Sequence, residues 1–233
     1  MFFAYQKRLA GAACMAVLML AAGCGGEPQK LPPDQVISKA VPAIKDAQSF
    51  HFKLETGKLQ SAVGGLFITG ADGDVVKPDK LAANISVLFG GQPISMKVVV
   101  DGKSQYMTDP LSNRWSNMSS AFDVSKFFDP SGVADIIANV KAPTDDGTET
   151  IGGTDSYRLK GTISISGLKP LSSEIMQKGN DLPVTLWVGS SDFLLRQVRL
   201  QGPFINGDPA EVVRTITLSD YNKSVKIETP VVK

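Results

Sequence analysis

The sequence predicts an α+β fold: one long antiparallel sheet with helices confined to one face. Three observations carry that prediction. Apolar and polar residues alternate strictly over much of the chain, the mark of half-buried antiparallel strands. Short turns built from Gly, Asp and Pro separate the alternating stretches. Helical periodicity is confined to a few short segments.

In chain order, Asp34 to Ala47 (DQVISKAVPAIKDA) places Val36, Ile37, Val41 and Ile44 near helical spacing, with a kink or break expected at Pro42. Phe50, Phe52 and Leu54 then alternate with His51, Lys53 and Glu55. Leu81, Ala83, Ile85, Val87 and Phe89 form the next apolar face, and Ile94, Met96, Val98 and Val100 the one after. Gly90-Gly91-Gln92-Pro93 and Asp101-Gly102-Lys103 are turns; Asp-Gly is a strong hairpin signal. Asp129-Pro130-Ser131 starts a helix whose apolar stripe is Val133, Ile136, Ile137 and Val140, stopped by Pro143.

Strands resume at Thr148 to Ile151 and at Tyr157 to Ile165. Pro170 to Lys178 is a short helix with Leu171, Ile175 and Met176 on one side. Pro183 to Val188, Leu194 to Gln201 and Val212 to Asp220 close the sheet, with a last short run at Ser224 to Thr229. The tally is about ten strands and three helices in a single domain.

Composition narrows the function. A net charge of +1 argues against nucleic acid. His51 is the sole histidine, on the polar side of a strand pattern, and no G-x-S-x-G elbow accompanies it. No Cys/His cluster has zinc spacing. The acidic pairs Asp72/Asp74 and Asp145/Asp146 sit in turn-like sequence without a full calcium-loop pattern. Trp115 and Trp187 have the chemistry to stack a sugar, although packing is the plainer role. Catalysis, a metal and a cofactor are therefore not expected.

The N-terminus is informative. Lys7 and Arg8 precede an apolar stretch, Leu9 to Leu20, and Ala21-Ala22-Gly23-Cys24 follows. This is the order of an export signal, and the stretch is shorter than the roughly 20 residues of a membrane span. Ala-Ala-Gly-Cys resembles the bacterial lipobox, with the preferred Leu one position early at Leu20. That resemblance implies cleavage before Cys24 and acylation of its thiol. Cys14, the other cysteine, lies in the removed segment, so the remaining chain holds a single thiol. The expected organisation is a signal peptide over residues 1–23, a lipidated tether over 24–33 and a binding domain over 34–233.

A sheet of about ten twisted strands curls. Its concave face either packs against the helices as a dense core or leaves a cavity, and alternation fits both. Several stretches resemble the LppX/LprA/LprF/LprG-type lipoproteins of mycobacteria and other actinobacteria, which share the half-barrel of the LolA/LolB carriers. They are the lipobox and Pro-rich tether; the hairpin from Val98 through Asp101-Gly102-Lys103 to Met107, with Trp115; Phe127-Phe128-Asp129-Pro130-Ser131-Gly132; Pro183 to Val188 followed by Arg196 to Leu200; and Thr215 to Pro230. Together they span nearly the whole chain after Cys24.

The resemblance implies a single strongly curved antiparallel sheet, a half-barrel, with helices on its concave face enclosing a hydrophobic cavity for acyl chains. Periodicity offers Val36, Val41, Ile44, Ile85, Val87, Met96, Val98, Val100, Val133, Ile136, Ile137, Val140 and Ile175 for its wall. The implied ligand is a lipid or glycolipid, and the implied membrane attachment is the lipid on Cys24, at the extracytoplasmic face of the cell membrane. An envelope lipid transporter is a further implied partner, and the protein is expected to be a monomer. A protein-binding or purely structural envelope lipoprotein is the alternative on residues alone.

Overall fold

The sheet is built as two antiparallel meanders joined through the strand that starts the first and the strand that ends the second. The structure, a computed structural model, describes residues 30–57, 66–118, 130–168, 179–205 and 207–232. The first meander is β1 (Ser49–Gly57), β2 (Leu66–Val76), β3 (Lys80–Phe89), β4 (Gln92–Asp101), β5 (Ser104–Thr108) and β6 (Trp115–Asn117). The second is β7 (Lys141–Ile151), β8 (Thr154–Ile163), β9 (Leu182–Gly189), β10 (Leu195–Gln201) and β11 (Val213–Ser219). The strand order is β6-β5-β4-β3-β2-β1-β11-β10-β9-β8-β7, eleven strands in one sheet that does not close. The edges are blunted: β6 is three residues long, and β7 carries two register shifts against β8.

Alternation sets which side faces inward. Phe50 and Phe52 on β1 are fully buried, and register pairs Phe52 with Leu218 and Leu54 with Ile216. The inward row continues through Val198 and Leu186 to Leu159. Helix α1 (Pro33–Asp46) opens with Pro33 in its first turn and buries Val36, Ile37, Ala40 and Ile44. It runs unbroken through Pro42, which lies on its exposed side. Helix α2 (Pro130–Ala138) buries Ala134, Ile136 and Ile137 in the same core. Lys45 of α1 pairs with Asp135 of α2 at 2.8 Å, tying the helices together.

The structure corrects several expectations. Leu66–Val76 is a strand, although Gly70, Asp72, Gly73 and Asp74 read as turn chemistry; Asp72 and Asp74 lie on it, bracketing His51. Strand β7 begins at Lys141, not Thr148, because an edge strand accommodates Pro143 and bulges around Asp145 and Gly147. Phe89 is not inward but 58% exposed, since it ends β3 at the hairpin turn. Ser224 to Thr229 forms no strand; it runs back along the domain, and Thr229 hydrogen-bonds Asp101. Described helical structure amounts to α1, α2 and a 3-10 turn at Ile165–Leu168. The helix expected at Pro170 to Lys178, with Ile175, lies outside the described residues, as do the signal segment and Cys24.

Candidate functional site

Where α2 crosses the sheet, the packing leaves a void of about 40 Å³. Val133, Ile136 and Ile137 form its helix side, and Leu168 of the 3-10 turn closes one flank. Its sheet side is Phe50 of β1, Leu195, Val198 and Leu200 of β10, and Ile216 and Leu218 of β11. Every lining side chain is apolar. A space this size, with no polar partner, stays dry. It offers hydrocarbon contacts and nothing that could hold a cation or activate a nucleophile.

The described sequence-derived wall residues do not all come together at this void. Val133, Ile136 and Ile137 line the void. Val36, Ile44, Val87, Val98 and Val100 are almost fully buried, and Val41, Ile85 and Val140 pack partly exposed against the core. Met96, on β4, is half-buried. The sheet residues opposite α2 come from β1, β10 and β11; Val98 and Val100 of β4 do not border this void. Alternation had marked Phe50, Val198, Leu200, Ile216 and Leu218 as strand residues, but it carries no information on which strands a distant helix covers.

Polar groups brace the site from outside. Tyr221 donates to the carbonyl of Leu195 at 2.6 Å, and its ring lies 5.9 Å from that of Phe50, so it supports two wall residues from behind. Burial raises the Tyr221 phenol well above its ordinary range. Lys39 of α1 sits 5.0 Å over the ring of Phe193. Arg214 and Asp208 form a buried pair on the β10–β11 connection. Among the described residues no group of three or more His, Cys, Asp or Glu could hold a metal ion, and no helix is long and apolar enough to cross a membrane.

A curved open sheet, two helices on its inner side and an apolar void beneath one of them form the setting for the sequence comparison. The LppX_LprAFG lipoprotein family model matches residues 32–227. The chain belongs to this family. It is similar to the lipoarabinomannan carrier protein LprG of Mycolicibacterium smegmatis, 30% identical over 239 residues, 98% of this chain and 97% of the relative. The lipoarabinomannan carrier protein LprG of Mycobacterium tuberculosis is 25% identical over 96% of this chain and 95% of its own.

Solved structures give the same architecture. LprF from Mycobacterium bovis superposes with a TM-score of 0.68 at 20% identity, covering 86% of this chain and 99% of its own. Lipoprotein LppX from Mycobacterium tuberculosis gives 0.60 at 23%, covering 83% and 97%. At these identities the two structures speak for the fold. The LppX_LprAFG match spans every described element from α1 to β11.

Proposed function

We propose that this protein is a lipid-anchored, non-catalytic carrier of the cell envelope. Acyl chains of a lipid or glycolipid lie between α2 and the sheet, and Cys24 holds the protein to the extracytoplasmic face of the membrane. The observation that carries the reading is the wholly apolar void between α2 and β1, β10 and β11, in a chain whose relatives are named as lipoarabinomannan carriers. An acyl chain entering this void separates α2 further from the sheet.

The mechanism is passive. Each buried CH2 contributes about 0.8 kcal/mol, close to what it has in a bilayer. Exchange between membrane and protein is then nearly balanced, and a donor, an acceptor or an envelope transporter supplies direction. The protein works as a monomer in this scheme, since one sheet and one helix make the site.

Native mass spectrometry of the chain from residue 25 onward tests the proposal. Copurified or vesicle-acquired diacyl lipid at about one per chain is the expected result. A protein that emerges lipid-free and takes up no diacyl lipid from vesicles overturns it.

A further inference from the structure

The outer face of the sheet carries a notch that the acyl site does not use. Register places Asp72, Asn84, Lys97, Thr108 and Trp115 in one row across β2 to β6: Asp72 pairs with Asn84, Asn84 with Lys97, and Thr108 with Trp115, while the Lys97 N–H donates to the Thr108 hydroxyl at 2.8 Å. Their chain neighbours Gly73, Ala83, Val98 and Met107 share the opposite, inward row. Between Trp115 and the β2 carboxylates lies a depression of about 240 Å³, floored by small or buried residues such as Ala82 and Val99.

Its chemistry is specific. Trp115 is half-exposed at one end. At the other, His51 holds the Asp74 carboxylate at 3.0 Å and stands 3.5 Å from that of Asp72. Asn84 and Lys97, both exposed, also line the notch. Trp187 differs: it is 6% exposed and its indole N–H is committed to Glu149 at 2.8 Å.

We infer that this notch is a second binding site, for a neutral sugar unit of a glycan. The C–H face of a pyranose or furanose ring stacks on an indole, as apolar surfaces do on aromatic rings. Ring hydroxyls donate to Asp72 and accept from Asn84 and Lys97. The two carboxylates disfavour phosphate and other anions, and the polar wall disfavours an acyl chain. From Trp115 to Asn84 is three strand spacings, about 14 Å, room for a short oligosaccharide. The volume falls just below the roughly 300 Å³ at which whole small-molecule sites begin, which suits one or two rings. Both a free envelope polysaccharide and the headgroup of a carried glycolipid present this chemistry.

The test uses the 2 tryptophans of the chain. Their indole N–H signals in a 15N–1H correlation spectrum are assigned with Trp115→Phe and followed during titration with mannotriose and, separately, with a mannosylated diacylglycerol. A saturable shift of the Trp115 signal with Trp187 unmoved is the expected result. Seen with mannotriose, it points to free glycan; seen only with the glycolipid, to a headgroup. Trp115→Ala, followed by calorimetry, should weaken the binding roughly tenfold, the upper end of what an aromatic stack contributes. No saturable shift with either ligand, or equal affinity in Trp115→Ala, overturns the site. The outcome does not depend on lipid retention by the cavity, so the two readings fail separately.

Discussion

Arg214 and Asp208 meet in a two-pronged pair, Nη1 to Oδ2 at 2.8 Å and Nη2 to Oδ1 at 2.5 Å, with side chains only 7% and 1% exposed. Asp208 Oδ2 also accepts the backbone N–H groups of Phe204 and Ile205, and the guanidinium lies 4.6 Å over the Phe204 ring. One carboxylate thus organises the whole β10–β11 connection. Asp208→Ala leaves a buried cation and two N–H donors unpaired and should cost about 3–5 kcal/mol in urea unfolding. Replacing both residues by Leu should cost less than Asp208→Ala alone. A double variant no more stable than the single one would show that the pair's charge is not the issue.

Gly73 supports a tight β2–β3 contact. A Cβ there would stand 2.3 Å from the Ala82 carbonyl oxygen and 2.7 Å from the Ala83 Cα. Both are backbone atoms that cannot swing aside. Gly73→Ala should lose about 1–3 kcal/mol. Gly57→Ala is the control, because its nearest neighbour is 4.0 Å away. Thermal unfolding of the two variants should separate them clearly.

That same glycine explains what the sequence concealed. Gly70-Ala71-Asp72-Gly73-Asp74 has the composition of a turn, yet Gly73 is there for a close backbone approach and the aspartates are there because their face is solvated. Strand β7 was disguised similarly, by a Pro and a bulge that only an edge strand tolerates. The hairpin turns and the apolar rows of β1, β3, β4 and β8 were legible because their period is local, as were the ranges of β9 to β11. The partnership of α2 with β10 and β11 was not, since it joins residues about sixty or more apart and periodicity has no range term. The Asp208–Arg214 pair escaped for the same reason as β7: Gly207-Asp208-Pro209 reads as a plain turn.

Tyr221 makes the fold sensitive to alkali. Burial raises its phenol above the ordinary value of 10.0, so the folded state keeps a proton that the unfolded chain releases. The unfolded state then binds fewer protons, and stability falls as pH rises. The contribution is fully present below pH about 10 and fades above it. Tyr221→Phe should be less stable at neutral pH by about 0.5–1.5 kcal/mol, from the lost bond to Leu195. It should also show a shallower stability loss between pH about 10 and 11. Parallel slopes for the two proteins in that window would rule the phenol out.

Cys24→Ala tests the anchor. Among the described residues 30–33, Leu31 is the one that packs against the hydrophobic core, and the variant should fold as the parent does and leave the membrane fraction. Two or more acyl chains give stable attachment, and without them none remains. Variant protein that still sediments with membranes after a salt wash points to a second anchor.

Val133 and Ile137 lie on one helix and line one void, but they differ in room to move. Val133 is partly exposed; Ile137 is 0% exposed. With acyl chains held in this void, Val133→Trp fills space that lipid would take. It should lower bound diacyl lipid severalfold while the lipid-free protein melts within a few degrees of the parent, a difference of less than about 1 kcal/mol. Ile137→Trp has nowhere to put its ring and should lose about 1–3 kcal/mol whether or not lipid binds. The pair therefore separates occupancy from packing in one measurement of thermal unfolding and lipid content. A large drop in Tm for Val133→Trp with unchanged lipid would mean that α2 closes a dense core, and that the acyl chains, if carried at all, lie elsewhere.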